Sequence, residues 1–176
     1  MASSKLSKFR KAIIAVVAVT GIGYGAAEIL VPTVAEYEGE VLTTYKDVVG
    51  IDTVCFGDTR PEWAVPGVTY TEEECLMSLS ESIIEHTRGM LECAPGVEAS
   101  DEMTAAFGSL TINIGVGAFC RSTVARRFKA GDYRGACEAI PMWNKAGGKV
   151  NKGLVRRRDG EMKLCLRGVP AMEAAR

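Results

Sequence analysis

Three polar residues in the first third of the chain, Glu38, Asp47 and Thr53, have types and a spacing that could cleave a sugar bond. Their pattern is E-x8-D-x5-T. Glycoside hydrolysis needs a protonated carboxyl group that donates to the leaving oxygen and an ionised one on the opposite face of the bond. The spacing alone is weak evidence for such a site, because a chain with 22 acidic residues contains such pairs by chance. Asp and Thr also form turns that hydrogen-bond to themselves, so a purely structural role for Asp47 and Thr53 stays open.

The rest of the composition argues against other kinds of catalytic site. His86 is the single histidine, which disfavours a Ser-His-Asp or Cys-His triad and a histidine-rich metal centre. The six cysteines contain no Cys-x-x-Cys pair of the kind that binds zinc. We therefore expect no metal and no cofactor.

The six cysteines suit either three disulfides in an oxidising compartment or six buried thiols in the cytosol. Many pairings are possible in principle, and sequence alone does not select one. The favoured set links neighbouring predicted helices twice and then pairs the two cysteines that remain: Cys93–Cys120, Cys137–Cys165 and Cys55–Cys75.

The first 34 residues indicate export. Residues 12–27 are uncharged and follow a basic stretch, which should hold the N-terminus in the cytoplasm and send the rest across the membrane. The uncharged run ends at Glu28 and is shorter than the roughly 20 residues of a comfortable membrane helix. Residues 1–34 are therefore predicted to be one weak, apolar signal-anchor helix. A cleaved signal peptide and a buried N-terminal helix of a cytosolic protein are the alternatives.

The remaining chain has the pattern of a small sheet followed by helices. Residues 36–59 alternate apolar and polar positions and predict an antiparallel sheet with turns, and residues 60–70 predict a loop. Helices are expected from the start signals Thr71 (with Glu74 as a capping box), Ser100, Ser122 or Thr123, and Asp132, and again after the Gly147-Gly148 turn. This order predicts an α+β fold: a catalytic domain over residues 35–176, with a sheet lobe at about 36–70 and an all-helical lobe at about 71–168.

Longer runs of sequence make the interpretation specific. The run from Glu38-Gly39 through Tyr45-Lys46-Asp47 to residues 53–59 (TVCFGDT) resembles the active-site region of the phage lysozymes, the family of the bacteriophage T4 enzyme. Residues 113–119 (NIGVGAF), 143–149 (WNKAGGK) and 152–157 (KGLVRR) resemble the C-terminal lobe of the lambdoid branch, which includes signal-anchor-release endolysins. The resemblance spans residues 36 to about 168. One departure is Asp58, where many relatives have a histidine after the glycine.

The resemblance implies hydrolysis of the β-1,4 bond between N-acetylmuramic acid and N-acetylglucosamine, with inversion at the anomeric carbon. Glu38 would be the general acid, kept protonated near neutral pH by partial desolvation. Asp47 would activate or orient the attacking water, and Thr53 would help to hold it. Glu36 and Glu40 flank Glu38, but neither keeps the spacing to the other two residues.

Asn113 and Trp143 could line the sugar cleft, although a helix-end cap and a core tryptophan are equally compatible with these positions. The expected partners are the glycan strands of peptidoglycan and, before release to the periplasm, the host inner membrane through residues 1–34. The basic C-terminal segment, residues 121–176, suits an anionic wall polymer, and no nucleic acid partner is expected. We expect a monomer. The main alternative is a catalytically inactive wall-binding or membrane-tethered protein that reuses the fold, and Asp47 and Thr53 argue against lytic transglycosylation.

Overall fold

The computed structural model describes residues 2–47 and 49–175, and it opens with two helices. These are α1 (Ala2–Thr20) and α2 (Tyr24–Glu38). The N-terminal apolar segment is helical as predicted, but it is divided: the chain breaks at Gly21, whose φ of +77° lies in the left-handed region that favours glycine. Both helices bury apolar faces, with Ile13, Val16 and Leu30 fully enclosed. Within the described residues, no helix is both long and apolar enough to cross a membrane.

The sheet lobe begins later than the alternating pattern predicts. Residues 36–38 belong to α2, and Gly39, at φ +71°, ends that helix. Strands β1 (Val41–Lys46) and β2 (Asp52–Cys55) are antiparallel, with Tyr45 opposite Thr53. The following loop returns beside β1, where Thr44 N–H donates to the Val68 carbonyl. This short strand pair is attached directly to the C-terminal end of α2.

The helical lobe starts where its capping residues predict. In α3 (Glu72–Cys93) the Thr71 side chain accepts from Glu74 N–H and the Glu74 side chain accepts from Thr71 N–H, which confirms the capping box. Side-chain caps also open four later helices. These caps are Ser100 before α4 (Asp101–Ile114), Ser122 before α6 (Thr123–Lys129), Asp132 before α7 (Tyr133–Glu138) and Asn151 before α8 (Lys152–Ala174).

This lobe is helical as predicted, with one short hairpin that the sequence analysis did not include. After the short helix α5 (Val116–Cys120) and the helices α6 and α7, a two-residue hairpin of β3 (Lys145–Ala146) and β4 (Lys149–Val150) precedes α8. Gly147 and Gly148 both have positive φ, which is the conformation that a two-residue hairpin turn requires. Short 3₁₀ turns occupy Val97–Ala99 and Ile140–Met142.

The core centres on α4, which packs against α2, α3 and α8. Its side chains Phe107 and Leu110 are fully buried. Three disulfides fix the surrounding elements: Cys55–Cys75 joins β2 to α3, Cys93–Cys120 joins α3 to α5, and Cys137–Cys165 joins α7 to α8. These are the three pairs that the sequence favoured. The result is a rigid frame around the C-terminal end of α2.

Candidate active site

Glu38 is the last residue of α2 and lies where the sheet lobe meets the helical lobe. Its side chain is 24% exposed, and its Oε1 accepts a hydrogen bond of 2.6 Å from Arg157 Nη1 of α8. On the other side, a Cβ placed on Gly57 would lie 3.7 Å from Glu38 Oε2. That distance is an ordinary contact, so it is the φ of +78° at Gly57, and not a lack of space, that favours glycine in the turn beside this carboxyl group.

Two cavities meet at Glu38, and Asn113 lines both of them. The larger, of about 820 Å³, is bordered by Trp143, Lys145 and Arg156 on the helical side. The smaller, of about 350 Å³, continues toward Asp58, Arg60 and His86. The structure therefore brings Glu38, Asn113 and Trp143 together along one open cleft.

Asp47 and Thr53 lie on either side of the turn that joins the two strands, and each bonds to Ile51. Asp47 Oδ1 accepts from the N–H groups of Val49 and Ile51, at 2.9 and 2.8 Å. The buried Thr53 hydroxyl donates to the Ile51 carbonyl at 3.1 Å. Ile51 thus connects the two side chains, in a turn of the self-bonded kind. Neither residue is among the described residues that line the two cavities, and their role in holding water stays a prediction.

A buried network of charges lies behind Glu38. Arg157, 5% exposed, donates from Nε to Glu161 Oε1 at 3.1 Å and from Nη2 to the Ser109 carbonyl at 3.2 Å. Glu161, 1% exposed, also accepts a 2.7 Å hydrogen bond from the Ser109 hydroxyl. The adjacent Arg158 forms an ion pair of 3.0 Å with Glu161 Oε2 and donates to Asn113 Oδ1 at 2.6 Å. The network thus reaches the cleft at two residues, Glu38 and Asn113.

Burial dominates the electrostatics of this network. It raises the pKa of Glu161 above its ordinary value, although the charges of Arg158 and Arg157 and the Ser109 hydrogen bond oppose the shift. It also lowers the pKa of Arg158, against the opposing charge of Glu161. The guanidinium carbon of Arg157 lies 4.8 Å from the centre of the Tyr37 ring, a cation–π contact. Arg157 is therefore held in one orientation from several sides.

Arg157, Arg158 and Glu161 were missed as site residues by the sequence analysis. They stand in a helix rich in charged residues, where an Arg-Arg-x-x-Glu spacing is typical of a solvated face. Nothing local distinguishes Arg157 from its exposed neighbour Arg156, because the partner of Arg157, Glu38, lies 119 positions earlier in the chain.

Asp58 forms a second cluster, in the sheet lobe. Its carboxylate accepts from the backbone N–H, Nε and Nη2 of Arg60, and from the Ser78 hydroxyl of α3. Burial by itself raises the pKa of Asp58, but these hydrogen bonds and the charge of Arg60 outweigh it and lower the pKa below its ordinary value. Asp58 thus ties the turn beside Gly57 to α3.

Comparisons with known proteins agree with this architecture. The phage lysozyme family model matches residues 35–161. The SAR-endolysin of bacteriophage PS119 is 40% identical over 131 residues, which cover 74% of this chain and 77% of that protein. The SAR-endolysin of Enterobacteria phage H19B is 38% identical over 169 residues, covering 88% and 93%.

Solved structures give the same result. A mutant of P22 lysozyme superposes with a TM-score of 0.69 at 30% identity, covering 82% of this chain and 97% of that one. An endolysin from Escherichia coli O157:H7 phage FAHEc1 gives a TM-score of 0.72 at 28% identity, covering 78% and 90%. The family match includes Glu38, the cleft residues Asn113 and Trp143, and the start of α8. This chain therefore belongs to the phage lysozyme family.

Proposed function

We propose that this endolysin, a glycoside hydrolase by its family, cleaves the β-1,4 bond between N-acetylmuramic acid and N-acetylglucosamine with Glu38 as its general acid. The observation that carries the proposal is the position of Glu38: a partly buried carboxyl group at the junction of two lobes, where two open cavities meet. A glycan strand lying along the cleft would pass this carboxyl group. No other carboxyl group lines both cavities among the described residues.

In the proposed reaction, Glu38 gives its proton to the glycosidic oxygen while water attacks the anomeric carbon from the opposite face. The carbon–oxygen bond to the leaving sugar breaks as the bond to water forms, so the configuration inverts. Asp47 takes the proton of the water, and Thr53 helps to hold that water. The turn that joins these two residues through Ile51 supports a fixed geometry. An inverting pair needs a separation of about 6.5–9.5 Å, to leave room for water.

Asn113 and Trp143 are proposed to bind the sugar. Trp143 is partly buried and offers an aromatic face in the larger cavity. Asn113 is exposed, and its Oδ1 already accepts from Arg158. The amide NH₂ of Asn113 is then the group that can donate to a sugar hydroxyl or acetamido carbonyl.

The acid assignment is tested by Glu38→Gln, with Glu40→Gln as the matched control on an exposed glutamate two residues away. E38Q should lower the rate of clearing of a cell-wall suspension by about 100- to 10,000-fold, the range for a lost general acid. E40Q should stay within twofold of wild type. Near-normal clearing by a folded E38Q would overturn the assignment. A wild type that binds walls without clearing them would favour the inactive wall-binding protein instead.

The stereochemistry has its own test. Nuclear magnetic resonance of fresh products should show the inverted anomer first, before mutarotation. Mass spectrometry should find a reducing sugar with one added water. A retained anomer would contradict the water-attack mechanism, and an anhydro sugar would identify a lytic transglycosylase.

We further propose that residues 1–34 are a signal-anchor that holds the protein in the host inner membrane, facing the periplasm, until release. The basic residues before position 12 and the uncharged run after it support insertion. The apolar residues of this segment also fill the enzyme core: Ile13, Val16, Ile22, Leu30 and Val31 are at most 2% exposed. Because α2 ends at Glu38, the cleft can form only after the segment has left the bilayer.

Release is tested by cell fractionation before and after addition of an uncoupler. The membrane potential contributes roughly 2.3 kcal/mol per charge per 100 mV, so its loss can tip a weakly inserted segment out. The full-length protein should move from the membrane to the soluble fraction. A shortened soluble species that lacks residues 1–27 would instead support a cleaved signal peptide.

A further inference from the structure

The Glu161 cluster (Arg157, Arg158 and Glu161) is poorly explained by stability. All three residues are at most 5% exposed. Arg158 Nε and Nη1 and Glu161 Oε2 have no hydrogen-bond partner among the described residues, although Nη1 and Oε2 form the 3.0 Å ion pair. Buried ion pairs of this kind often contribute less to stability than well-packed apolar residues of the same volume. Stability alone therefore does not account for the burial of these three charged side chains.

We propose that Glu161 is a positioning residue for the hydrolytic reaction: it fixes Arg157 against Glu38 and balances the charge of that arginine. The inference rests on the proposed role of Glu38 as the acid. Glu161 lies behind Arg157 and does not itself line either cavity at Glu38.

The hydrogen bonds of Arg157 support the positioning role of Glu161. Each nitrogen of the Arg157 guanidinium donates a hydrogen bond to a different acceptor: Nε to Glu161, Nη2 to the Ser109 carbonyl and Nη1 to Glu38. With the first two bonds made, the planar guanidinium has one orientation left, which directs Nη1 at the acid. Glu161 also pairs with Arg158, which holds Asn113 on the cleft wall. Through these two arginines, the buried carboxylate of Glu161 helps to position two residues of the cleft, Glu38 and Asn113.

The short distances from Glu161 to Arg157 and Arg158 support its role in balancing their positive charge. A guanidinium that touches Glu38 favours the ionised carboxylate, whereas a general acid must begin the reaction protonated. Glu161, at 3.1 Å from Arg157 and 3.0 Å from Arg158, offsets this excess of positive charge. When Glu38 has given up its proton, Arg157 is in place to hydrogen-bond the carboxylate that forms. The arrangement therefore favours the transition state over the resting state.

Other charged or titratable groups also face the two cavities. They come from each surrounding element: Glu36 and Tyr37 of α2, Asp58 and Arg60 of the sheet lobe, Glu85 and His86 of α3, Lys145 of the hairpin and Arg156 of α8. In the cation–π contact Tyr37 touches the same guanidinium. Among the described groups, Arg157 is the one that forms an ion pair with Glu38.

The test is Glu161→Gln, compared with Asp159→Asn on the same helix. Asp159 is half-exposed and pairs with Lys163 at 2.7 Å, so D159N removes a carboxylate without touching the cluster. E161Q should lower kcat about tenfold with KM within twofold, and should move the alkaline limb of the kcat/KM profile to lower pH, because it removes a negative charge beside Arg157. D159N should leave both unchanged. The shifted limb is the decisive readout, because a purely structural role would not move it.

Several outcomes would overturn the inference. An E161Q variant with unchanged kcat and an unchanged alkaline limb would do so, as would a rate loss fully accounted for by its unfolded fraction. If E161Q does not fold, Ser109→Ala decides, because it removes one hydrogen bond from Glu161 and keeps every charge. S109A should lower kcat several-fold, and an unchanged kcat would count against the proposal. Near-normal turnover by E38Q would overturn both the acid assignment and this inference, whereas loss in E38Q but not in E161Q would overturn this inference alone.

Discussion

Glu38 lies between two clusters that each pair a carboxylate with arginine, one in the sheet lobe and one in the helical lobe. In the Asp58 cluster (Asp58, Arg60 and Ser78) the arginine side chain is 29% exposed, and several N–H and O–H groups donate to the carboxylate. In the Glu161 cluster every partner is buried, and Oε2 has only the ion pair. The pKa of Asp58 is lowered, and that of Glu161 is raised.

The difference shows that the same chemical pair serves two purposes according to its burial. With water near Arg60, Asp58 gains more from its hydrogen bonds than desolvation costs, so the Asp58 cluster stabilises the fold. At Glu161 desolvation outweighs the opposing charges and raises the pKa, and the role we propose for this cluster is to arrange the cleft. If burial separates the two clusters in this way, four variants should lose stability by successively smaller amounts.

Arg158→Met should have the largest effect on stability. It leaves Glu161 Oε2 buried without its ion pair, and breaking a buried pair from one side costs about 3–5 kcal/mol. Urea unfolding at pH 7 measures the free energy of unfolding. A loss of unfolding free energy below about 1 kcal/mol would show that Glu161 does not depend on Arg158 for its stability in the buried cluster.

Removing the Cys55–Cys75 disulfide by a C55S/C75S double variant should come next. The bond closes a separation of 20 residues and joins β2 to α3, the same two regions that the Asp58 cluster connects. Loss of such a loop constraint costs about 3 kcal/mol. A thermal melt should show the loss, and a melt of wild type in reductant should show a larger one, because it opens all three disulfides.

Asp58→Asn should cost about 1–3 kcal/mol at pH 7, because it removes a charged acceptor from Arg60 and Ser78. The pKa of Asp58 is lower folded than unfolded, so its stabilisation is complete above an unfolded pKa of about 3.9 and is lost as pH falls through the folded pKa. Unfolding curves of wild type and D58N should therefore converge below about pH 4. A constant difference from pH 7 to pH 2 would contradict this linkage.

Lys163→Met should have the smallest effect. Lys163 pairs with Asp159 on the same helix as the Glu161 cluster, but its side chain is 65% exposed. Exposed pairs of this kind contribute no more than about 0.5 kcal/mol. Urea unfolding beside R158M gives the direct comparison, and equal losses in the two variants would remove burial as the cause of the difference.

The helix starts were predictable because capping is local. Thr71, Ser100, Ser122 and Asp132 each accept from a backbone N–H three positions later, so their signal lies within one turn of sequence. The start of the sheet was not predictable, because residues 36–38 alternate in polarity as a strand does and yet continue the helix α2. Val34 and Ala35 are buried where α2 packs against α4, and that packing extends the helix to Glu38.

The sequence was sufficient for the α+β class, the family resemblance and the candidate acid Glu38, since these depend on local order and on residue types at fixed spacing. It favoured one set of cysteine pairs without excluding the others, and the folded structure contains that set. The break at Gly21 and the contact of Arg157 with Glu38 across 119 positions of chain became visible in the folded protein. The same holds for the burial of Arg158 and Glu161 beside the exposed Arg156. Desolvation depends on what packs around a charge, and the packing elements α2, α4 and α8 come from distant parts of the chain.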